Sequence, residues 1–215
     1  MRKQYGQELE LLHVELIRMG ALCEEAISAA AKALLEGDRE LAEAAKAAER
    51  EIDDKERALE SLCMKLLLRQ QPVAGDLRTV SSALKMISDM ERIGDQAEDI
   101  AELAGYVNMA AAPGRLHIDD MARATISMVT DSVDSFVRRD LALAQAVMAE
   151  DDRVDALFAD VKRAIIDLIS RDNTRGELAL DLLMVAKYLE RIGDHATNIA
   201  EWVAYSITGE HPKTD

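Results

Sequence analysis

The chain has 215 residues, of which 49% are hydrophobic but only 3% are aromatic, so Ala, Leu, Ile and Met must fill its core. Three prolines and ten glycines are too few to form the many turns of a β-sandwich, and the composition therefore predicts an all-α protein. A net charge of −15 argues against nucleic acid and anionic membranes as partners, and favours cations or basic surfaces of other proteins.

Six long helices are predicted, because helix-capping Asp residues, glycines and prolines separate long segments with helical periodicity. The predicted helices run from about Lys3 to Glu36, from the cap Asp38 to Arg69, from the cap Asp76 to Asn108, from His117 to Val137, from the cap Asp140 to Ser170 and from Glu177 to Ile207. The predicted connections are Gly37, the turn 71–75 around Pro72, the linker 111–114 around Pro113 and the turn 172–176.

Nothing along the chain indicates export or a membrane span. No run of about 18 apolar residues occurs, and the N-terminus lacks the apolar segment of a signal peptide. Cys23 and Cys63 lie among apolar residues in no metal or redox motif, which predicts small buried side chains in a reducing compartment. We therefore expect a cytoplasmic protein that does not insert into a membrane.

The two halves of the chain resemble each other. Glu91–Glu102 and Glu190–Glu201 share nine of twelve residues at an offset of 99, and Asp38 matches Asp140 at an offset of 102. Long helices joined by short loops pack as antiparallel neighbours. The sequence therefore predicts two tandem antiparallel three-helix bundles that arose by duplication. Their predicted bounds are 1–110 and 115–208, and a polar tail follows at 209–215.

Each half carries two pairs of acidic residues at a spacing of four. The pairs are Glu49 and Asp53, Glu91 and Asp95, Asp151 and Asp155, and Glu190 and Asp194. Like charges at this spacing face each other on a helix and cost about 0.2–0.5 kcal/mol per pair. Because Asp53 and Asp95 each lie 21 residues from Ala74, at the centre of the predicted turn, the pairs of one half are expected at the same height.

A metal site would explain why these repulsive pairs recur. At 100° per residue the acids lie beside the apolar stripe of each helix, so four carboxylates are expected to line a shallow groove. Carboxylate oxygens suit magnesium, manganese, iron or zinc, and several carboxylates have room for more than one ion. With 41 acidic residues, any single pair is more simply a solvated surface; four pairs matched in height and repeated favour a metal. Gly94 and Gly193 lie within the same helices, which predicts close approach of a neighbouring helix.

The repeated motif resembles a known family. ERIGD at 91–95 and 190–194, together with RQQPVAGDLR at 69–78, is similar to the PhoU family of phosphate-uptake regulators. The resemblance implies two three-helix bundles with metal clusters held by Glu/Asp-x-x-x-Asp motifs. The first implied site is Glu49, Asp53, Glu91, Asp95 and Asp99, and the second is Asp151, Asp155, Glu190, Asp194 and Asn198. Asn198 replaces an acid, so the second site is expected to bind more weakly or to differ in the number of ions.

The resemblance also implies a regulator rather than an enzyme. Its implied partners are the ATPase of the phosphate ABC transporter and the sensor histidine kinase of the phosphate regulon, and the implied assembly is a homodimer. Two alternatives remain open. A carboxylate-metal enzyme of the helical-bundle type would need an open coordination site and a nearby base. A helical scaffold without metal would differ from the regulator in its metal content.

Overall fold

The computed structural model describes residues 2–70, 74–109 and 116–212, with side chains for 5–68, 75–109 and 116–212. These residues form six α-helices and no β-strand, which confirms the all-α prediction. The helices are α1 Arg2–Glu36, α2 Arg39–Gln70, α3 Ala74–Ala104, α4 Ile118–Arg138, α5 Leu141–Arg171 and α6 Gly176–Thr208. A short 3₁₀ turn, Asn173–Arg175, precedes α6. Pro72, Pro113 and the linker 111–114 lie outside the described residues.

Three of the predicted helix signals are confirmed. Gly37 ends α1 with a φ of +70°, in the left-handed region that favours glycine. The Asp38 carboxylate accepts hydrogen bonds from the backbone N–H groups of Glu40 at 2.8 Å and Leu41 at 3.3 Å, and so caps α2. Asp140 caps α5 in the same way by accepting from the N–H of Leu143 at 3.0 Å.

Both ends of α3 differ from the prediction. The helix begins at Ala74, so Asp76 lies within the first turn and is not the cap. The helix also ends at Ala104 instead of Asn108. Beyond Gly105, the N–H groups of Tyr106 and Val107 both donate to the carbonyl of Leu103, at 2.9 and 3.0 Å, and Val107 is buried. Burial of this apolar side chain favours the tight turn over continued helix.

The two bundles pack side by side and share one core. Helices α1, α2 and α3 pack on one another, as do α4, α5 and α6; α1 also packs on α4, and α3 on α6. The apolar side chains of both bundles form a single buried cluster that includes Cys23 and Cys63. The structure describes no helix with the length and apolar composition that crossing a bilayer requires.

Antiparallel contacts hold α3 against α6. Near the middle of the pair, Asp89 Oδ1 lies 2.9 Å from His195 Nδ1 and accepts a hydrogen bond from Asn198 Nδ2 at 3.3 Å. Further along, Lys85 Nζ of α3 lies 6.0 Å from the centre of the Trp202 ring of α6. The two helices that carry the repeated ERIGD motif are therefore direct neighbours.

The mid-helix glycines mark close helix contacts within each bundle. A Cβ atom on Gly94 would lie 3.1 Å from Ile52 Cδ1, and one on Gly193 would lie 3.4 Å from Val154 Cγ1. Ile52 and Val154 are matching residues of the repeat, at an offset of 102. The same close approach, of α2 to α3 and of α5 to α6, therefore occurs in both halves, as the glycines predicted.

We expect Gly94→Val to destabilise the protein by about 1–3 kcal/mol, because the added side chain would overpack against Ile52. Gly6→Val is the matched control, since a Cβ on this exposed helical glycine meets nothing within 4 Å. Urea unfolding followed by circular dichroism measures both. Equal stability of the two variants would show that α2 and α3 do not require this close approach.

Candidate metal centre

Carboxylates of α2 and α3 converge on the surface of the first bundle. One ligand oxygen from each of Asp53, Glu56 and Glu91 lies within 4.8 Å of the other two. Asp53 and Glu91 are predicted by the sequence, whereas Glu56 is not. The signal for Glu56 was its position three residues after Asp53, which places both on one face of α2. All three side chains are half-buried.

Glu49 and Asp95 adjoin this group. Burial and then the charges of Glu98, Asp53 and Asp95 raise the pKa of Glu49. Burial and then the charge of Asp95 raise the pKa of Glu91. Four of the five residues predicted for the first site therefore share one surface of α2 and α3, with Glu56 and Glu98 added to them.

Asp99 lies further along α3, towards α6. Burial, followed by the charges of Glu102 and Asp95, raises its pKa, while Arg191 of α6 acts in the opposite direction. Asp99 in turn contributes to the raised pKa of Tyr188, after the larger effect of burial. The structure therefore places Asp99 at the junction of α3 and α6, beyond the Asp53, Glu56 and Glu91 group.

Two arginines at the edge of the first site offset part of its charge. Arg57 Nη2 lies 2.6 Å from Asp53 Oδ2. Arg92 lies 3.4 Å from Glu91 and from Asp95. The side chains of Arg57 and Arg92 are 65% and 59% exposed, so these ion pairs contribute little stability and leave the carboxylates open to a cation.

The second bundle brings together Asp151, Asp155, Glu190 and Asp194. Burial and the charges of Asp194 and Asp155 raise the pKa of Asp151 from 3.8 to about 6. Desolvation also raises the pKa of Asp194, although part of this side chain is exposed. The charges of Glu190 and Asp155 raise that pKa further, whereas the charge of Lys187 lowers it. Gly193 has no side chain, and this leaves room for the Asp151 carboxylate. A Cβ atom on residue 193 would lie 3.6 Å from Asp151 Oδ1.

Asn198 contacts the neighbouring bundle. It donates from its amide nitrogen to Asp89 of α3, and so occupies the α3–α6 junction just as its repeat counterpart Asp99 does. The last residue of each predicted site, Asp99 in one half and Asn198 in the other, therefore faces the opposite bundle. The packing of α3 on α6 gives both residues these neighbours, and the spacing within one half does not reveal that contact.

The first site has the chemistry of a cation site. Its carboxylate oxygens are hard ligands that suit Mg²⁺, Mn²⁺ and iron. Burial, and after it the charges of neighbouring carboxylates, raises the pKa values of Glu49, Glu56 and Glu91, so the ionised forms of these side chains are disfavoured. A bound cation would stabilise the ionised carboxylates against both effects.

The raised pKa of Asp151 makes stability depend on pH. Because the folded-state pKa of about 6 lies above the ordinary value of 3.8, ionisation costs the folded state free energy, and stability falls as pH rises from about 4 to 6. We expect Asp151→Asn to be more stable than wild type above pH 6 in chelator-treated protein, with the difference shrinking towards pH 4.

Asp152→Asn is the control for this prediction, since it removes the same charge from the adjacent exposed residue. Urea unfolding between pH 4 and pH 8 measures the effect. A stability difference between Asp151→Asn and wild type that does not change with pH would contradict the assignment.

Comparison with known proteins matches almost the whole chain. The PhoU domain family model matches residues 16–104 and again 118–203. A phosphate-specific transport system accessory protein PhoU homolog from Clostridium acetobutylicum is 37% identical over 216 residues, covering 97% of this chain and 96% of the relative. The accessory protein PhoU of Escherichia coli K12 is 30% identical, covering 96% of this chain and 86% of the relative.

Solved structures agree with the sequence comparison. The crystal structure of PhoU from Pseudomonas aeruginosa is 33% identical with a TM-score of 0.90, covering 96% of this chain and all of the other. The phosphate transport system regulatory protein PhoU from Streptococcus pneumoniae is 27% identical with a TM-score of 0.90, covering 98% of this chain and all of the other. With two matched domains, one in each bundle, this chain belongs to the PhoU family.

Proposed function

We propose that this protein is a metal-binding cytoplasmic regulator of phosphate uptake and of phosphate-regulon signalling. In this role it acts as an adaptor, without enzymatic activity, between the ATPase of a phosphate ABC transporter and a sensor histidine kinase. The names of its relatives, which are accessory to a phosphate-specific transport system, support the link to phosphate uptake. The strongly acidic surface supports protein partners with basic patches and argues against DNA.

The convergence of Asp53, Glu56 and Glu91 carries the metal part of the proposal. These three residues would provide the central ligands, and Glu49 and Asp95 would complete the set around them. A divalent cation held there would link α2 to α3 and neutralise part of the excess charge. The site would thus give the adaptor a metal-dependent surface. The carboxylate set favours magnesium, manganese or iron over zinc and leaves room for a second ion.

Two other functions compete with this one. Family membership supports a regulator over a carboxylate-metal enzyme, because the relatives are named for transport and regulation. The metal-free scaffold is distinguished by metal content alone. A homodimer remains part of the proposal, and the mass of the protein in solution by light scattering tests it.

Asp53→Asn tests the metal site against Asp54→Asn, which removes the same charge from the next residue of α2. Asp53 belongs to the converging group, whereas the Asp54 side chain is 81% exposed. We expect Asp53→Asn to weaken Mn²⁺ binding by about tenfold or more, because a divalent ion loses a charged ligand, and Asp54→Asn to bind like wild type. Calorimetric titration of chelator-treated protein with Mn²⁺ measures both.

An equal loss of Mn²⁺ affinity in both variants would indicate general attraction of the ion to the acidic surface instead of a specific site. No uptake of Mn²⁺, Mg²⁺, Fe²⁺ or Zn²⁺ by wild type would favour the metal-free scaffold. A bound ion should also stabilise the fold, by about 2.7 kcal/mol when its free concentration is 100 times its Kd, which thermal unfolding detects independently.

A phosphate-responsive reporter in a strain that lacks the gene tests the regulatory role. We expect loss of the gene to derepress the reporter in high phosphate and the wild-type gene to restore repression. The double variant Asp53→Asn/Glu91→Gln should restore it only in part, because it removes two charged ligands, whereas Asp54→Asn should restore it fully. Full repression by the double variant, at equal protein level, would separate regulation from metal binding.

A further inference from the structure

We infer that the second carboxylate cluster, Asp151, Asp155, Glu190 and Asp194, does not bind a divalent metal, because the ammonium of Lys187 already serves as its cation. This inference rests on the proposed metal site of the first bundle and makes the two halves of the chain unequal. It departs from the family resemblance, which implies a metal cluster in each half.

The contacts of Lys187 carry the inference. Its Nζ donates a hydrogen bond to Glu190 Oε2, and the Glu190 side chain is only 14% exposed. The same nitrogen lies 5.6 Å from the centre of the Phe158 ring, within the range of a cation–π interaction. Its charge also opposes the rise in the pKa of Asp194. The ammonium thus interacts with α5 and α6 at once, as a bridging metal would.

The repeat shows what has changed between the halves. At the offset of 99 that relates α3 to α6, Lys187 corresponds to Ser88, so a cation stands where the first bundle has a small neutral residue. At the offset of 102 that relates α2 to α5, Phe158 corresponds to Glu56. One of the three converging carboxylates of the first site is therefore replaced by the ring that faces the ammonium.

The number of carboxylates differs in the same direction. The first bundle has seven acidic residues, at positions 49, 53, 56, 91, 95, 98 and 99. The matching positions of the second bundle keep only four, because Phe158, Thr197 and Asn198 stand at the other three. Ala159 replaces Arg57, so the second cluster has lost a rim arginine and gained a lysine that contacts one of its least exposed acids.

The carboxylates also converge less closely in the second bundle. Among the residues that the structure describes, Asp53, Glu56 and Glu91 are the only three acidic, His or Cys residues with ligand atoms within 4.8 Å of one another. A divalent ion that used Glu190 Oε2 as a ligand would have to displace Lys187 from it. It would then find no oxygen ligand at position 158.

Reciprocal exchange of the two differing positions tests the inference. Lys187→Ser/Phe158→Glu gives the second bundle the residues of the first, and Ser88→Lys/Glu56→Phe gives the first bundle those of the second. Chelator-treated proteins are titrated with Mn²⁺ by calorimetry, and bound manganese is counted by mass spectrometry after gel filtration. Helix content by circular dichroism confirms that each variant is folded.

We expect Ser88→Lys/Glu56→Phe to lose nearly all Mn²⁺ binding. We expect Lys187→Ser/Phe158→Glu to gain at least one ion per chain, and Asp155→Asn in that background to remove the gain. Lys187→Ser alone, which truncates a half-exposed side chain, tests the lysine if the double variant does not fold; it should also gain affinity. No gain from either change, in a protein whose first site binds Mn²⁺, would overturn the inference.

Asp155→Asn in the wild-type background tests whether the second cluster binds metal while Lys187 is present. If that change removes manganese from wild type, the second cluster binds metal with Lys187 present and the inference is wrong. Failure of the proposed function gives a different pattern. A wild type without manganese, beside a Lys187→Ser/Phe158→Glu variant that binds it, would refute the metal site of the first bundle and support the role of Lys187.

Discussion

Mutual repulsion among carboxylates on adjoining helices is the constraint on which the site depends. The close contact of Ile52 with Gly94 brings α2 and α3 together, and it fixes acidic side chains opposite one another that would separate in a looser bundle. The apolar core supplies the free energy that holds them there. Packing therefore outweighs electrostatic repulsion at the first site, and the cation proposed above would offset that repulsion.

The two repeats each contain this arrangement of packed helices and acidic side chains. They differ at several of the acidic positions. The packing elements are retained: Asp38 and Asp140 both cap helices, and Gly94 and Gly193 both admit a branched aliphatic side chain. The carboxylates are retained only in part, because Phe158, Thr197 and Asn198 stand where the first half has Glu56, Glu98 and Asp99. The second half has kept the residues that pack the helices and has lost several carboxylates. This difference indicates that the fold and the acidic site constrain different residues.

Much of the fold could be predicted from the sequence, because helix periodicity, capping residues and glycines are local signals. The all-α class, the caps at Asp38 and Asp140 and the stop at Gly37 follow from such signals. The end of α3 could not be predicted, because burial of Val107 depends on residues distant in sequence. Within the site, the pairs at a spacing of four were found, but Glu56, at a spacing of three, was missed. The position of Asp99 and Asn198 depends on the contact of α3 with α6, which no spacing within one half encodes.

The single core shared by both bundles has a consequence for how the chain folds. Helices α1 and α3 bury apolar side chains against α4 and α6, so one repeat alone would expose the faces that join the bundles. A half with such exposed faces would lose much of its hydrophobic stabilisation and would tend to associate with another copy. We therefore expect the repeat to be a unit of ancestry and not an independent unit of folding, with the two bundles unfolding together.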